Sequence, residues 1–374
     1  MKKKLAIISA NIDQIPLVEK AKEMGIETHC FSWDKEGYTD CKDIVDYFYP
    51  ISIFEKEQIV EVCKEIQVDG VAATMYDFAV PVVAYVAQNL GLIGNNYEDS
   101  LLPSNKFSAR QVFSKYGVNS PRFTIYQEGI DLTDFRYPLI VKPTDRCASI
   151  GVTKVEKEED LQNAILQAKD KSYRKEVLIE EYISGIELSV DTISWNGEHH
   201  ILVVKERELM AGVNCNIKLA GHYPIDLPSD IMEKIKDETR KALNAINYRY
   251  GASNTEFRVT KDGEVFILEV NPRMAGDQSH ILMKLHNGYD VVKGVIDVAL
   301  GQFEAPVITE TKYAGIYYLT KRSEWVRHFM DNREKDPDIV RVEFFNKESH
   351  EPLNNTDRMG YFIYQSEKKR RWKP

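Results

Sequence analysis

The chain has no Gly-x-Gly-x-x-Gly after its first apolar run, no closely spaced cysteine pair, no basic surplus and no apolar stretch long enough to span a bilayer. The missing glycine fingerprint weakens a dinucleotide-binding reading. Cys30, Cys41, Cys63, Cys147 and Cys215 are odd in number and lack zinc-type spacing, so reduced thiols in a cytoplasmic protein are expected. A formal net charge of -9 argues against a nucleic-acid partner, whose phosphates need a basic surface. The one basic cluster, 368–373, reads as a solvated terminus. The basic, apolar start mimics a signal peptide, but the polar residues from Asn11 to Gln14 cut its apolar run short, so it reads as a first strand and no membrane partner is expected.

What is present is ordinary globular material. Hydrophobic residues make up 43% and charged residues 29% of 374 residues, enough for two or three packed units. Short apolar runs near 5–9, 26–33 and 70–74 alternate with helical spacing over 15–24, 53–66 and 79–90, the pattern of a doubly wound parallel sheet. Ser104 is the expected N-cap of a helix through Tyr116, which puts Lys106 in the first turn, where the helix dipole disfavours a cation. Lys142 ends a buried strand over 137–143, before the polar loop 144–151, a combination that can cradle phosphate.

The strand over 177–181 ends in Glu180 and Glu181, turns at Ser184-Gly185 and restarts with Glu187, Ser189 and Asp191 alternating. Asn196-Gly197 marks a hairpin. After an irregular stretch over 209–228, a helix over 230–247 precedes strands over 251–259 and 264–271, joined at Asp262-Gly263. That hairpin brings Glu256 near Glu269, and a strand points Glu269 and Asn271 to one face. Pro272 stops the strand, and Arg273 follows. Two carboxylates, an amide oxygen and a guanidinium suit a hard cation beside a phosphate-bearing ligand. Taken alone, the stretch also fits an ordinary edge strand.

In this order, Asn105-Lys106, Val141-Lys142-Pro143, Glu180-Glu181-Tyr182-Ile183, Gly185 with Glu187, Glu256 and Glu269-Val270-Asn271-Pro272-Arg273 resemble the motifs of the ATP-grasp superfamily, over roughly 1–301. The resemblance implies an α/β and α+β fold, with an N-terminal doubly wound parallel-sheet domain (1–103) before a two-lobed ATP-grasp fold. Its small lobe would span 104–184, its large lobe 185–303, and 304–374 would complete or cover the site. ATP would contact Lys106, Lys142, Ser149, Gly151, Glu180, Glu181, Ile183, Glu187 and Leu268. Magnesium, with manganese as a substitute, would sit on Glu256, Glu269 and Asn271. Arg273 and Lys142 would act in catalysis.

The implied reaction is an ADP-forming carboxylate–amine ligation on small molecules, amino acids first, and a homodimer is left open. Two alternatives keep the fold: carboxylation or bicarbonate activation, for which 312–364 carries no recognisable pattern, and a non-catalytic nucleotide binder, against which all three oxygen ligands and both lysines stand. The loop 144–151 departs from relatives in having one glycine, so Arg146 can add a charged contact there. Cys147 has no nearby histidine in sequence and reads as a packed or incidental thiol. Lys205, Arg207 and Glu208 face the nucleotide, the second substrate or solvent. His280 is a candidate base, with a helix start at Asp277 or Ser279 as the simpler reading.

Overall fold

A computed structural model describes residues 2–373 apart from 148, 211–216, 346–349, 353 and 356. Cys215 lies outside the described residues. The first sheet is parallel, in the order β3-β2-β1-β4, from β1 (Lys4–Ile8), β2 (Glu27–Phe31), β3 (Tyr47–Tyr49) and β4 (Gly70–Ala72). Alternation splits β1 between two cores: Leu5 and Ile7 pack toward α1 (Ile15–Glu23), Ala6 and Ile8 toward α2 (Lys56–Ile66) and α3 (Ala79–Leu90). The short α4 (Tyr97–Leu101) leads to α5 (Lys106–Lys115). Its N-cap is Asn105, whose side chain accepts from the Ser108 N–H, rather than the expected Ser104; Lys106 is the first helical residue.

The second sheet is antiparallel, β5-β8-β6-β7, from β5 (Phe123–Ile125), β6 (Leu139–Pro143), β7 (Thr153–Val155) and β8 (Val177–Glu181). Leu139, Val141, Val177 and Ile179 bury against α6 (Leu161–Lys171). Alternation therefore leaves Lys142 and Glu180 on the opposite face.

The third sheet has eight antiparallel strands, in the order β13-β12-β9-β10-β11-β14-β16-β15. They are β9 (Ile186–Trp195), β10 (Glu198–Leu209), β11 (Lys218–Tyr223), β12 (Gly251–Val259), β13 (Val265–Asn271), β14 (Tyr313–Leu319), β15 (Ile339–Phe344) and β16 (Gly360–Ser366). One face carries α7 (Ser229–Ala245), which buries Ile231, Ile235 and Leu243 on Leu188, Val190, Phe257 and Ile267. The other carries α8 (Ser279–Asn287) and α9 (Val291–Ala299). Nearly every side of α9 is apolar and buried, because it is wedged between the first and third sheets.

Several expectations change here. The stretch read as irregular contains β11, an interior strand. In the C-terminal part, β14, β15 and β16 extend the large sheet, with α10 (Trp325–Asp331) packed against it. The basic tail is docked in part: Lys368, Lys369 and Lys373 are exposed as expected, but Arg370 pairs with Asp336 and Asp338, Arg371 with Glu206, and Trp372 is buried beside Tyr317 and Phe362. Cys147 is exposed, not packed. Helix α8 starts at Ser279, one of the two residues expected there, with Gln278 before it as the cap in a left-handed conformation. Among the described residues no helix is long and apolar enough to cross a membrane.

At the Ser184-Gly185 turn, a Cβ on Gly185 would lie 2.0 Å from the Val259 carbonyl oxygen, inside any permitted contact. Gly185→Ala is expected to force the turn off β12 and to cost about 1–3 kcal/mol, read as a fall in the urea midpoint.

Candidate active site

The second sheet and the open part of the third face each other across a cavity lined by Lys106, Lys142, Arg146, Ser149, Glu180, Glu181, Ile183, Glu187, Arg207, Glu256, Leu268 and Glu269, among others. Most residues singled out in the sequence therefore meet in one place. Gly151 is not among the lining residues; it closes the loop end over Pro143, where a Cβ would meet Pro143 Cγ at 2.9 Å. Asn271 lines a second, adjoining cavity, and Arg273 lines neither of these two.

The strand pair β12–β13 builds the acidic centre. Glu256 stands directly opposite Glu269, and Asn254 opposite Asn271, yet the next pair is Phe257 with Ile267. Leu268 is thus an extra residue on β13, a β-bulge that reverses the side-chain parity. Val265 and Ile267 before it, and Val270 after it, all bury in the α7 core. Glu269 and Asn271 consequently point the other way. The carbonyl of Leu268 accepts from Arg110 Nη2 at 2.6 Å.

Cations surround the pair. Lys106 Nζ lies 2.6 Å from Glu269 Oε1 and donates to the Arg146 carbonyl at 2.7 Å, tying the loop after β6 to the end of β13. Burial alone would raise the Glu269 carboxyl, but Lys106 overrides it and holds it at about 2, with help from Lys142 and Arg273. Glu256, paired with Arg207, is instead held above its usual range by burial and by the nearby Glu269 and Glu187 carboxylates. Arg207 Nε also lies 3.3 Å from Glu187 Oε1, and Glu187 Oε2 accepts from Arg258 Nη2 at 2.7 Å.

On the facing lobe, Glu180 is 3% exposed and spends both oxygens on cations, Oε1 on Arg110 Nε and Oε2 on Lys142 Nζ, each at 2.6 Å. Burial pulls the Lys142 ammonium down, with Glu180 opposing. The Glu181 N–H donates to the Arg122 carbonyl at 3.0 Å, and the Ile183 carbonyl accepts from Arg258 Nη1 at 3.2 Å. Arg273 is clamped by Asp77, from the loop before α3, at 2.8 Å through Nε and 3.3 Å through Nη2.

Of the residues left open in the sequence, Lys205 pairs with Asp191, which also accepts from Asn254 at 2.7 Å, and Glu208 accepts from His222 on the other face. His280 is held neutral, burial bringing it down to about 4. At that value it is a weak base at neutral pH.

Two features escaped the sequence. Arg110 joins the two lobes, and its only signal was a charged residue on the face of α5 that buries Ala109 and Phe113. The other is a basin beside Arg207, where Asp277 pairs with Arg358 and, at 3.2 Å, with Lys218. Arg358 lies 3.6 Å over the Tyr318 ring, and Lys218 packs over Gly221. Burial brings the Lys218 ammonium down to about 8, against the pull of Asp277.

Comparison with known proteins bears on the family and the fold. A family model for the ATP-grasp domain matches 135–281, and one for the ATP-grasp N-terminal domain matches 18–93, together more than half of the chain. The C-terminal section of the carbamoyl phosphate synthase large chain from Aquifex aeolicus is 25% identical over 301 residues, 75% of this chain and 55% of that one. The chain thus spans about half the length of that relative. D-alanine–D-alanine ligase from Lactococcus lactis is 27% identical over 238 residues, 58% of this chain and 66% of that one. Among solved structures, an L-amino acid ligase from Bacillus licheniformis superposes with a TM-score of 0.80 at 23% identity, covering 98% of this chain and 94% of that one, a likeness of fold.

Arg110→Met leaves buried Glu180 with one cation instead of two and is expected to cost about 3 kcal/mol in urea unfolding. Lys218 is expected to discharge near pH 8 rather than 10.5. Between those values the unfolded chain holds a proton that the folded chain has lost, so stability relative to Lys218→Met rises with pH through that window, measured by paired urea titrations.

Proposed function

The chain belongs to the ATP-grasp superfamily of ligases, and on that premise we propose that it activates a carboxylate as an acyl phosphate with ATP and joins it to an amine, releasing ADP and phosphate. The observation that carries this reading is the position of Lys106, which bridges the loop carbonyl of Arg146 and the Glu269 carboxylate at 2.7 and 2.6 Å. A cation there touches both the phosphate loop and the acidic strand end, which is where an anionic carboxylate and an anionic phosphate must be brought together.

In this reading the adenine lies between the Glu181–Ile183 hinge and Leu268, and Glu187 takes the ribose hydroxyls. Lys106, Lys142, Arg146 and Ser149 face the phosphates. Glu256, Glu269 and Asn271 would hold magnesium. Two carboxylates and an amide oxygen are a hard-cation set, and the crowding that keeps the Glu256 carboxyl high is what a divalent ion relieves. Such an ion supplies charge screening for phosphate oxygens.

The substrate carboxylate oxygen attacks the terminal phosphorus as the bond to ADP breaks; the amine nitrogen then attacks the acyl carbon, phosphate leaves and the nitrogen sheds a proton. Lys106 and Lys142 lower the repulsion between the approaching anions, and Arg273, held by Asp77 outside both cavities, adds positive field behind Glu269. The walls of the cavity exclude water from the acyl phosphate. Amino acids are the first substrates to test, because one relative is a D-alanine–D-alanine ligase by name.

With MgATP and single amino acids, ADP release is expected above background and is expected to rise when an amine is added. Glu269→Gln is expected to lower kcat by about 100-fold or more. If no amino acid stimulates ADP release, with or without amine, the reading is wrong.

A further inference from the structure

The adjoining cavity shares Lys106, Arg146, Cys147 and Glu269 with the proposed nucleotide cavity and runs from them under the first sheet's α2–α4 region. Resting on the ligase reading, we propose that this second cavity seats the carboxylate to be activated, and that it selects one with a bulky apolar side chain. The shared wall is the reason for the role. A molecule here meets Lys106 and Arg146, the cations that face the terminal phosphate, so its carboxylate can lie beside that phosphate while its body occupies the rest of the space.

The lining gives the substrate class. Phe54, Phe78, Pro81, Leu101 and Pro103 line it, and Phe54, Phe78 and Leu101 are 62%, 39% and 37% exposed, so three large apolar side chains meet water along one wall. Several polar groups on this wall are already engaged, while the Asp145 Oδ1 atom is buried without a partner. Lys56 donates to the Tyr97 hydroxyl at 2.6 Å and lies over the Tyr85 and Tyr97 rings; Asp77 is held by Arg273; Asp145 Oδ2 accepts from the Arg174 N–H at 2.7 Å. A polar side chain lying against Phe54, Phe78 and Leu101 would lose water and find no partner among them, whereas an apolar one removes three exposed hydrophobes from water. Phe78 and Leu101 belong to the first sheet's unit, so that unit sets the selectivity and the third sheet holds the chemistry.

The test separates this assignment from the reaction itself. Calorimetric titration of the full chain, with magnesium and a non-hydrolysable ATP analogue, is run with phenylalanine, leucine and methionine against glycine, aspartate and lysine. The bulky apolar group is expected to bind about tenfold tighter or more, and Phe78→Ala and Leu101→Ala are each expected to weaken it about five- to tenfold. Both side chains are over a third exposed, so truncation spares the core. In parallel, hydroxylamine replaces the amine: its nitrogen attacks the acyl carbon, phosphate leaves and a hydroxamate accumulates. Equal or tighter binding of glycine or aspartate, or unchanged affinity in both variants, overturns the cavity assignment. Hydroxamate made mainly from small or acidic carboxylates does the same while leaving the ligase reading intact. The expected binding preference without hydroxamate or ADP from any carboxylate overturns the ligase reading and with it the role in activation, leaving only the cavity's apolar preference.

Discussion

Two carboxylates placed opposite one another across a strand pair repel, and the rest of the site is arranged around that repulsion. Cross-strand neighbours stand about 5 Å apart at Cβ, and two unit charges at that range cost about 3 kcal/mol at an effective dielectric near 20. Glu256 and Glu269 remain together because α5 supplies Lys106 and β10 supplies Arg207. Lys106 then fixes the loop after β6 through the Arg146 carbonyl, and Arg207 fixes Glu187. Helix start, loop and neighbouring strand take their positions from one unfavourable pair.

Much of this was legible because local chemistry decided it. Asn196-Gly197 made its hairpin between β9 and β10, Gly91 ended α3, and Asp262-Gly263 set the turn that carries Glu256 to Glu269. The illegible parts depend on distant partners. Lys-Leu-Ala-Gly-His-Tyr offers neither alternation nor strong β-propensity, and β11 is a strand because β10 and β14 lie on either side of it. The tail read as solvated because its charges outnumber everything else; Trp372 was the contrary signal, and its burial carries the flanking arginines onto Asp336, Asp338 and Glu206. Arg110 could not be paired from sequence, since its partners lie about 70 and 158 positions away.

The first sheet is tied to the acidic centre in two unlike ways. Packing does it broadly, through α9 wedged between the sheets. Charge does it at a point, through Asp77 on Arg273, two residues beyond Asn271. A bidentate carboxylate is also the geometry in which a guanidinium holds any other carboxylate, so Asp77 keeps Arg273 oriented and charge-balanced within the fold.

The bulge at Leu268 places an unusual limit on how this strand can vary. Its apolar positions tolerate exchange among residues of similar size, because only their volume and facing matter. Length is a different matter. Loss of a single codon near 268 would leave a strand just as apolar and just as β-prone, yet would turn Glu269 and Asn271 into the space beneath α7. In this segment a frame-preserving deletion is therefore more damaging than most substitutions, and a homologous strand of the same composition but one residue shorter could not house the same acidic pair.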